Sequence, residues 1–184
     1  MAEIWKGAPV AAAIAERLQE KTKRLKEKGI EPCLALVRVG EREDDVAYEQ
    51  SAIRRCAAVG IRVQEVHLPA DAQQGLLMDM IRRLNRDPMI HGVLIFRPLP
   101  AHLDDGAVRA ALLPEKDVDG ITDGSLAGVF SGTKQGYPPC TAQACMEILD
   151  YYKYDPKGKR AVVVGRSLVV GRPAAMLLLE RHAT

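Results

Sequence analysis

Hydrophobic positions recur along the chain in two alternating rhythms. Over residues 9 to about 28, Val10, Ile14, Leu18 and Leu25 repeat at helical spacing, the opposite face is charged, and Gly29 is a fitting stop. Residues 33–39 form a short apolar run ended by Gly40 and the polar EREDD, the pattern of a strand meeting a loop. The same alternation then repeats. A helix is predicted over about 45–59 and stopped by Gly60, a strand over 61–68, a helix over 73–85 with Leu77, Met80, Ile81 and Leu84 on one face, and a strand over 90–96.

Strand starts near residues 33, 61 and 90 are about 30 residues apart, the size of a strand-helix unit. Such alternation predicts a parallel sheet with helices on both faces, an α/β fold, and in such sheets ligands bind beyond the carboxyl ends of the strands. Residues 40–48 and 97–100 then share one rim.

Past Pro100 the pattern loosens. A short helix is predicted over 104–112, and PEKDVDGITDG follows, with Asp117, Asp119 and Asp123 among glycines. Such a segment reads as no core element, leaving a solvated turn or a ligand-facing loop. Residues 125–130 suggest one helical turn. Thr141 is the expected cap of a bridging helix ending near Tyr152, with Cys145, Ile148, Leu149 and Tyr152 facing inward.

The stretch AVVVGRSLVVGRPAAMLLLE, residues 161–180, reads as a buried strand over 161–164, a tight turn, and a helix over 170–179. A helix N-terminus after a glycine turn presents backbone N–H groups to a phosphate. The outer glycines lie six positions apart, 165 to 171, where the dinucleotide pattern G-x-G-x-x-G has five, so the pattern alone is weak. Arg166 adds a fixed positive charge and Ser167 a hydroxyl donor. Only about 25 residues follow Arg160, enough for one strand and one helix and too few to complete a dinucleotide crevice. The expectation is therefore a fragment, or a domain whose other strands come from elsewhere.

Composition narrows the function classes. At 184 residues and 47% hydrophobic, the chain is long enough for one core, or for one domain and part of another. Lys plus Arg number 26 against 24 Asp plus Glu, scattered without a basic block, and aromatic residues at 4% are too few for a base-stacking surface. No nucleic-acid partner is expected. No apolar run approaches the roughly 20 residues of a membrane span, and MAEIWKG lacks a basic segment followed by an apolar one. A cytoplasmic protein with no membrane partner is the expectation. Cys33, Cys56, Cys140 and Cys145 fit neither metal-ligand spacing nor a disulfide framework and read as reduced, mostly buried thiols. His67, His91, His102 and His182 show no ligand spacing, so no metal site is expected.

Taken together, Tyr48 with RRCAAVGI, GVLIFRPLP, PEKDVDGI, PPCTAQA and VVVGRSLVVGRP resemble the bifunctional methylenetetrahydrofolate dehydrogenase/methenyltetrahydrofolate cyclohydrolase family, in family order and spacing across essentially all 184 residues. The resemblance implies a folate-binding catalytic domain over 1–140, a bridging helix over 141–156, and the start of a Rossmann-like NAD(P)-binding domain over 157–184, incomplete and C-terminally truncated. It implies a cleft holding a tetrahydrofolate derivative on one side and NADP or NAD on the other, and a homodimer in the intact protein. Carried over by position, Tyr48 and Asp119 are the catalytic residues. Tyr48 borders the folate ring, Asp119 hydrogen-bonds the pterin, and Pro98, Leu99 and Pro100 line the pocket. Gly165, Arg166, Ser167 and Gly171 contact the cofactor.

Departures from the family carry as much information. The family's lysine four residues after the tyrosine is Ala52, its glutamine before L-P-L-P is replaced by Phe96 with Arg97 next to it, and its small hydroxyl residue three places before the tyrosine is Asp45. Arg54 and Arg55 lie two or three positions further along the helix, off the required face. That lysine serves the proton and water chemistry of the cyclohydrolase step, whereas hydride transfer leans on the cofactor and on positioning. The sequence thus predicts methylenetetrahydrofolate dehydrogenase activity with weak or absent cyclohydrolase. The alternative is a folate- or nucleotide-binding relative without catalysis.

Overall fold

The structure, a computed structural model, describes residues 3–133 and 135–184. The chain folds into two compact units, one of residues 15–116 and one of residues 1–14 with 117–184. This division falls differently from the sequence boundaries at 140 and 156.

The first unit takes the second half of helix α1 (Gly7–Glu27), then β1 (Cys33–Val39), α2 (Glu43–Ala58), β2 (Arg62–Leu68), α3 (Gln74–Arg86), β3 (Gly92–Ile95) and α4 (Asp105–Ala111). Its sheet is parallel, in the order β2-β1-β3, with Val37 opposite Val66 and Ile95. Side chains of a strand alternate between faces, and here each face has its own content. Cys33, Ala35, Val37 and Val39 of β1 join Val66, Leu68, Val93 and Ile95 in one core with Leu77, Ile81 and Leu84 of α3 and Val108 of α4. The other face carries Arg38, Glu65, His67 and Phe96, and it is the face that α2 meets. On α1, Leu25 is exposed and Thr22 is buried instead, its hydroxyl donating to the Val59 carbonyl at 2.7 Å.

The second unit contains α5 (Asp123–Ser131), α6 (Cys140–Tyr151) and α7 (Gly171–Glu180). The single turn expected at 125–130 extends to nine residues, because Thr122 caps it by accepting from the Ser125 N–H at 3.1 Å. Helix α6 starts one residue before the expected cap. Pro139 holds the N-cap position, with no side-chain bond, and Thr141 lies inside the helix. Its inward face is Ala142 and Met146 with half-buried Leu149, packed on Ala174 and Leu177 of α7, so the expected inward Cys145 is exposed. Trp5 stacks on Tyr152 at 5.2 Å between ring centroids, and the Tyr152 hydroxyl both accepts from the Lys6 N–H and donates to its carbonyl.

Two expectations fail more instructively. Residues 161–164 form no strand: Val162 is 88% and Val164 97% exposed. A parallel strand is held by neighbours on the ladder, and among the described residues this segment has none; only its first residue is tied, Ala161 N–H to the Thr184 carbonyl at 2.8 Å. The cysteines are free, and against the expectation of mostly buried thiols Cys140 and Cys145 are exposed and Cys56 half-buried, leaving Cys33 as the one buried thiol. No helix among the described residues is long and apolar enough to cross a membrane.

Candidate functional site

In the sheet-containing unit the expected rim is built at the carboxyl ends of the strands. β1 is followed by Gly40, whose N–H donates to the Leu68 carbonyl at the end of β2 (2.9 Å), and the Phe96 N–H past β3 donates to the Val37 carbonyl (2.9 Å). Three strand ends are therefore level. Tyr48 stands on α2, 60% exposed, and its ring meets the buried Phe96 ring edge-on, with centroids 5.7 Å apart at 81°. Ala52, one helical turn after Tyr48, presents a methyl group on the same face. The Arg97-Pro98 peptide is cis, and the Arg42 guanidinium reaches the Pro98 carbonyl at 3.4 Å. Arg97 turns to Asp105, bonding both carboxylate oxygens at 2.7 and 2.5 Å, with Arg109 also on that carboxylate at 3.2 Å. The structure thus holds Tyr48, Ala52, Phe96, Pro98, Leu99 and Pro100 in one unit, with Tyr48 against Phe96 and Leu99 packed on the apolar core, while Arg97 and Arg109 share the single Asp105 carboxylate.

Beneath Tyr48 lies a network that the sequence reading missed. Glu49 is 1% exposed; its Oε2 accepts from Arg38 Nε at 3.1 Å and its Oε1 lies 2.9 Å from His67 Nε2. Arg38 also donates to the Gly40 carbonyl. A charged residue inside the apolar run CLALVRV was the available signal. With Glu65, 3.7 Å from His67 Nε2, these carboxylates and the imidazole bring ligand atoms within 4.8 Å of one another. Arg38 already supplies the positive charge for Glu49, so the group reads as a satisfied ion-pair network.

The other unit holds the remaining expected residues. Asp117, expected in a turn or ligand loop, is fully buried. Its Oδ1 accepts from the Ile121 N–H at 3.0 Å, and its Oδ2 from the Thr122 N–H at 2.8 Å and the Ser125 hydroxyl at 2.7 Å. Three donors offset the desolvation of one carboxylate, which is how an acidic residue becomes a core residue. The loop it braces carries Asp119, half-buried, and Gly120 with φ 67°. A Cβ on Gly120 would lie 2.5 Å from the Pro139 nitrogen, so only glycine fits there. Cys140 is exposed as a residue, yet its sulfur donates to the Val118 carbonyl at 3.3 Å; burial of the thiol, then the Asp119 and Asp117 carboxylates, push it up to about 11.

At the start of α7, Gly165, Arg166, Ser167 and Gly171 form one turn. The Ser167 hydroxyl accepts from the Val170 and Gly171 N–H groups at 3.1 and 3.3 Å. A Cβ at position 171 would fall 2.4 Å from the Gly165 carbonyl oxygen, so this turn closes only around glycine. With the Val170 and Gly171 N–H groups spent on Ser167, the exposed Arg166 guanidinium and the Ser167 hydroxyl hydrogen are the donors this turn offers a phosphate, beside the positive end of α7. These residues therefore fit the phosphate end of a dinucleotide.

Residues 5–119 match the tetrahydrofolate dehydrogenase/cyclohydrolase catalytic domain, more than half of the chain. The chain belongs to that family. Residues 139–184 match its NAD(P)-binding domain. A bifunctional FolD protein of Alkaliphilus oremlandii is 47% identical over all 184 residues, and one of Carboxydothermus hydrogenoformans is 48% identical. The chain spans 65% and 64% of their lengths. Among solved structures, the bifunctional FolD enzyme of Campylobacter jejuni superposes at a TM-score of 0.96 with 37% identity, over 99% of this chain and 64% of that one. The Trypanosoma brucei enzyme complexed with NADP cofactor and inhibitor superposes at 0.90 with 34% identity, over 100% of this chain and 63% of that one.

Proposed function

We propose that the intact protein is an NAD(P)-dependent 5,10-methylenetetrahydrofolate dehydrogenase in which the cyclohydrolase step is weak or lost. One observation carries the second half of this reading: where the family's proton-handling lysine and glutamine would stand, the chain has Ala52, one helical turn after Tyr48, and the buried ring of Phe96, which lies edge-on against the tyrosine. Neither group can take or give a proton, and an apolar wall offers water no hydrogen bond from which to attack. Positioning survives without them. Tyr48 borders the folate ring, Pro98, Leu99 and Pro100 line its pocket, and Asp119 accepts a hydrogen bond from the pterin.

Gly165, Arg166, Ser167 and Gly171 hold the phosphate end of NADP or NAD, which accepts a hydride from the folate methylene carbon when bound. Supporting this assignment are the donor chemistry of the turn, the match of residues 139–184 to the family's NAD(P)-binding domain, and the NADP complex of the Trypanosoma brucei relative. The intact protein is read as a cytoplasmic homodimer acting on tetrahydrofolate derivatives.

The test uses the intact protein and two assays: growth of reduced-cofactor absorbance with methylenetetrahydrofolate, and hydrolysis of methenyltetrahydrofolate. We expect the first and little of the second, with Ala52→Lys/Phe96→Gln raising hydrolysis at least tenfold. Hydrolysis at a rate comparable to dehydrogenation in the unmodified protein would sink the specialisation. A second reading, a folate- or nucleotide-binding relative without catalysis, is favoured by the same pair of substitutions, Ala52 and Phe96, which supply no proton-handling group at either position; folate binding with no growth of reduced cofactor selects it.

A further inference from the structure

Tyr48 and Glu49 are consecutive on α2, and successive helical residues point roughly 100° apart. The rotation that buries Glu49 is therefore the rotation that turns Tyr48 outward onto Phe96. What fixes this rotation is not an apolar stripe. The Glu49 side chain, 2% exposed, spends both oxygens on partners from two strands: Arg38 near the end of β1 and His67 near the end of β2. Arg38 in turn bonds the carbonyl of Gly40, the first residue of the rim turn that leads into α2. One carboxylate thus ties together the end of β1, the end of β2 and the helix that carries Tyr48. An apolar contact in its place would hold α2 down but tolerate small rotations, because dispersion has little directional preference. Charge-assisted hydrogen bonds at both carboxylate oxygens, Arg38 Nε on one and His67 Nε2 on the other, specify orientation as well as distance, and the second Arg38 bond to the Gly40 carbonyl fixes the guanidinium in its turn.

Buried ion pairs of this kind are weak contributors to net stability, since desolvation offsets most of the attraction, and replacing both partners by apolar residues is often neutral. Something other than stability is then the better account of this one. We propose that the Arg38–Glu49 pair, completed by His67, is a positioning device that sets the rotation of α2 and presents Tyr48 at the folate rim. Glu49 touches no substrate; it acts through Tyr48. This inference rests on the reading that Tyr48 borders the folate.

The experiment measures binding of 5-formyltetrahydrofolate by calorimetry, with the thermal midpoint recorded in parallel, for the wild-type chain, Tyr48→Ala, Arg38→Met/Glu49→Leu and the triple variant. We expect the double variant to melt within a few degrees of wild type and to bind at least tenfold more weakly. Tyr48→Ala should weaken binding similarly, and the triple variant should be no worse than Tyr48→Ala alone. Wild-type affinity in the double variant, with Tyr48→Ala impaired, overturns the positioning role and leaves the folate reading standing. Equal binding by wild type and Tyr48→Ala, or no binding by either, overturns the folate reading and the positioning role with it. If the double variant does not fold, His67→Gln decides: its imidazole is 44% exposed, so its loss spares the fold. A threefold or greater loss of affinity at unchanged midpoint then supports the proposal, and unchanged affinity refutes it.

Discussion

Asp117→Asn changes one atom of a buried side chain and should be among the most damaging substitutions in the chain. The carboxylate accepts three bonds, one at Oδ1 and two at Oδ2. An asparagine keeps its single oxygen where two donors converge, which aims its NH2 at the Ile121 N–H. That amide loses its acceptor in a site with no solvent, at about 1–3 kcal/mol, and the two surviving bonds fall from the charge-assisted to the neutral class, at about 1 kcal/mol each. The total is about 3–5 kcal/mol, a large share of the roughly 5–15 kcal/mol that keeps a domain folded. Amide hydrogen exchange reads this locally. Protection at Ile121 and Thr122 should fall by roughly two to three and a half powers of ten if the loop opens independently. Ser125→Ala removes a neighbouring donor, and the pair should couple non-additively. A loss below about 1 kcal/mol in Asp117→Asn would refute the assignment of this residue to the core of its loop.

Further expectations concern titrating groups. With its thiol held up near 11, Cys140 should react with iodoacetamide far more slowly at neutral pH than a free thiol, and Asp119→Asn, which removes one of the raising charges, should accelerate it; labelling mapped by mass spectrometry checks both, and alkylation as fast as glutathione would contradict the geometry. Because the folded value lies above the ordinary 9.0, the protonated thiol's contribution to stability is fully present below pH 9 and is lost as pH climbs from 9 toward 11, visible as a falling thermal midpoint absent from Cys140→Ser. Asp150 is held below its ordinary 3.8 chiefly by its hydrogen bonds to Arg181, so this pair contributes above pH 3.8 and fades as pH drops below it. At 56% exposure of the aspartate, solvent screens the pair, and Asp150→Asn should cost less than about 1 kcal/mol; a larger loss at moderate salt would be unexpected.

Much of this protein was legible in the order of its residues. Alternating periods located three parallel strands and the helices between them, and dispersed motifs such as PEKDVDGI and VVVGRSLVVGRP pointed to the family to which the chain belongs. Such features are local: a period of two or 3.6 residues, a glycine where a turn closes, a short motif. The missing lysine and glutamine were equally visible, since a substitution is read position by position. What the sequence could not decide were the outcomes that depend on a distant partner. AVVV has the pattern of a buried strand, but a strand exists only if neighbours complete its ladder, and residues 161–164 lie exposed. Asp117 and Glu49 look like surface carboxylates until Ile121, Thr122 and Ser125 surround the first, and Arg38 and His67 the second. Apolar patterning selects which elements form because burial is cheap to recognise in one dimension. Where a polar group goes inside depends on donors brought together only in three dimensions, and in this chain those donors determine how Tyr48 is held.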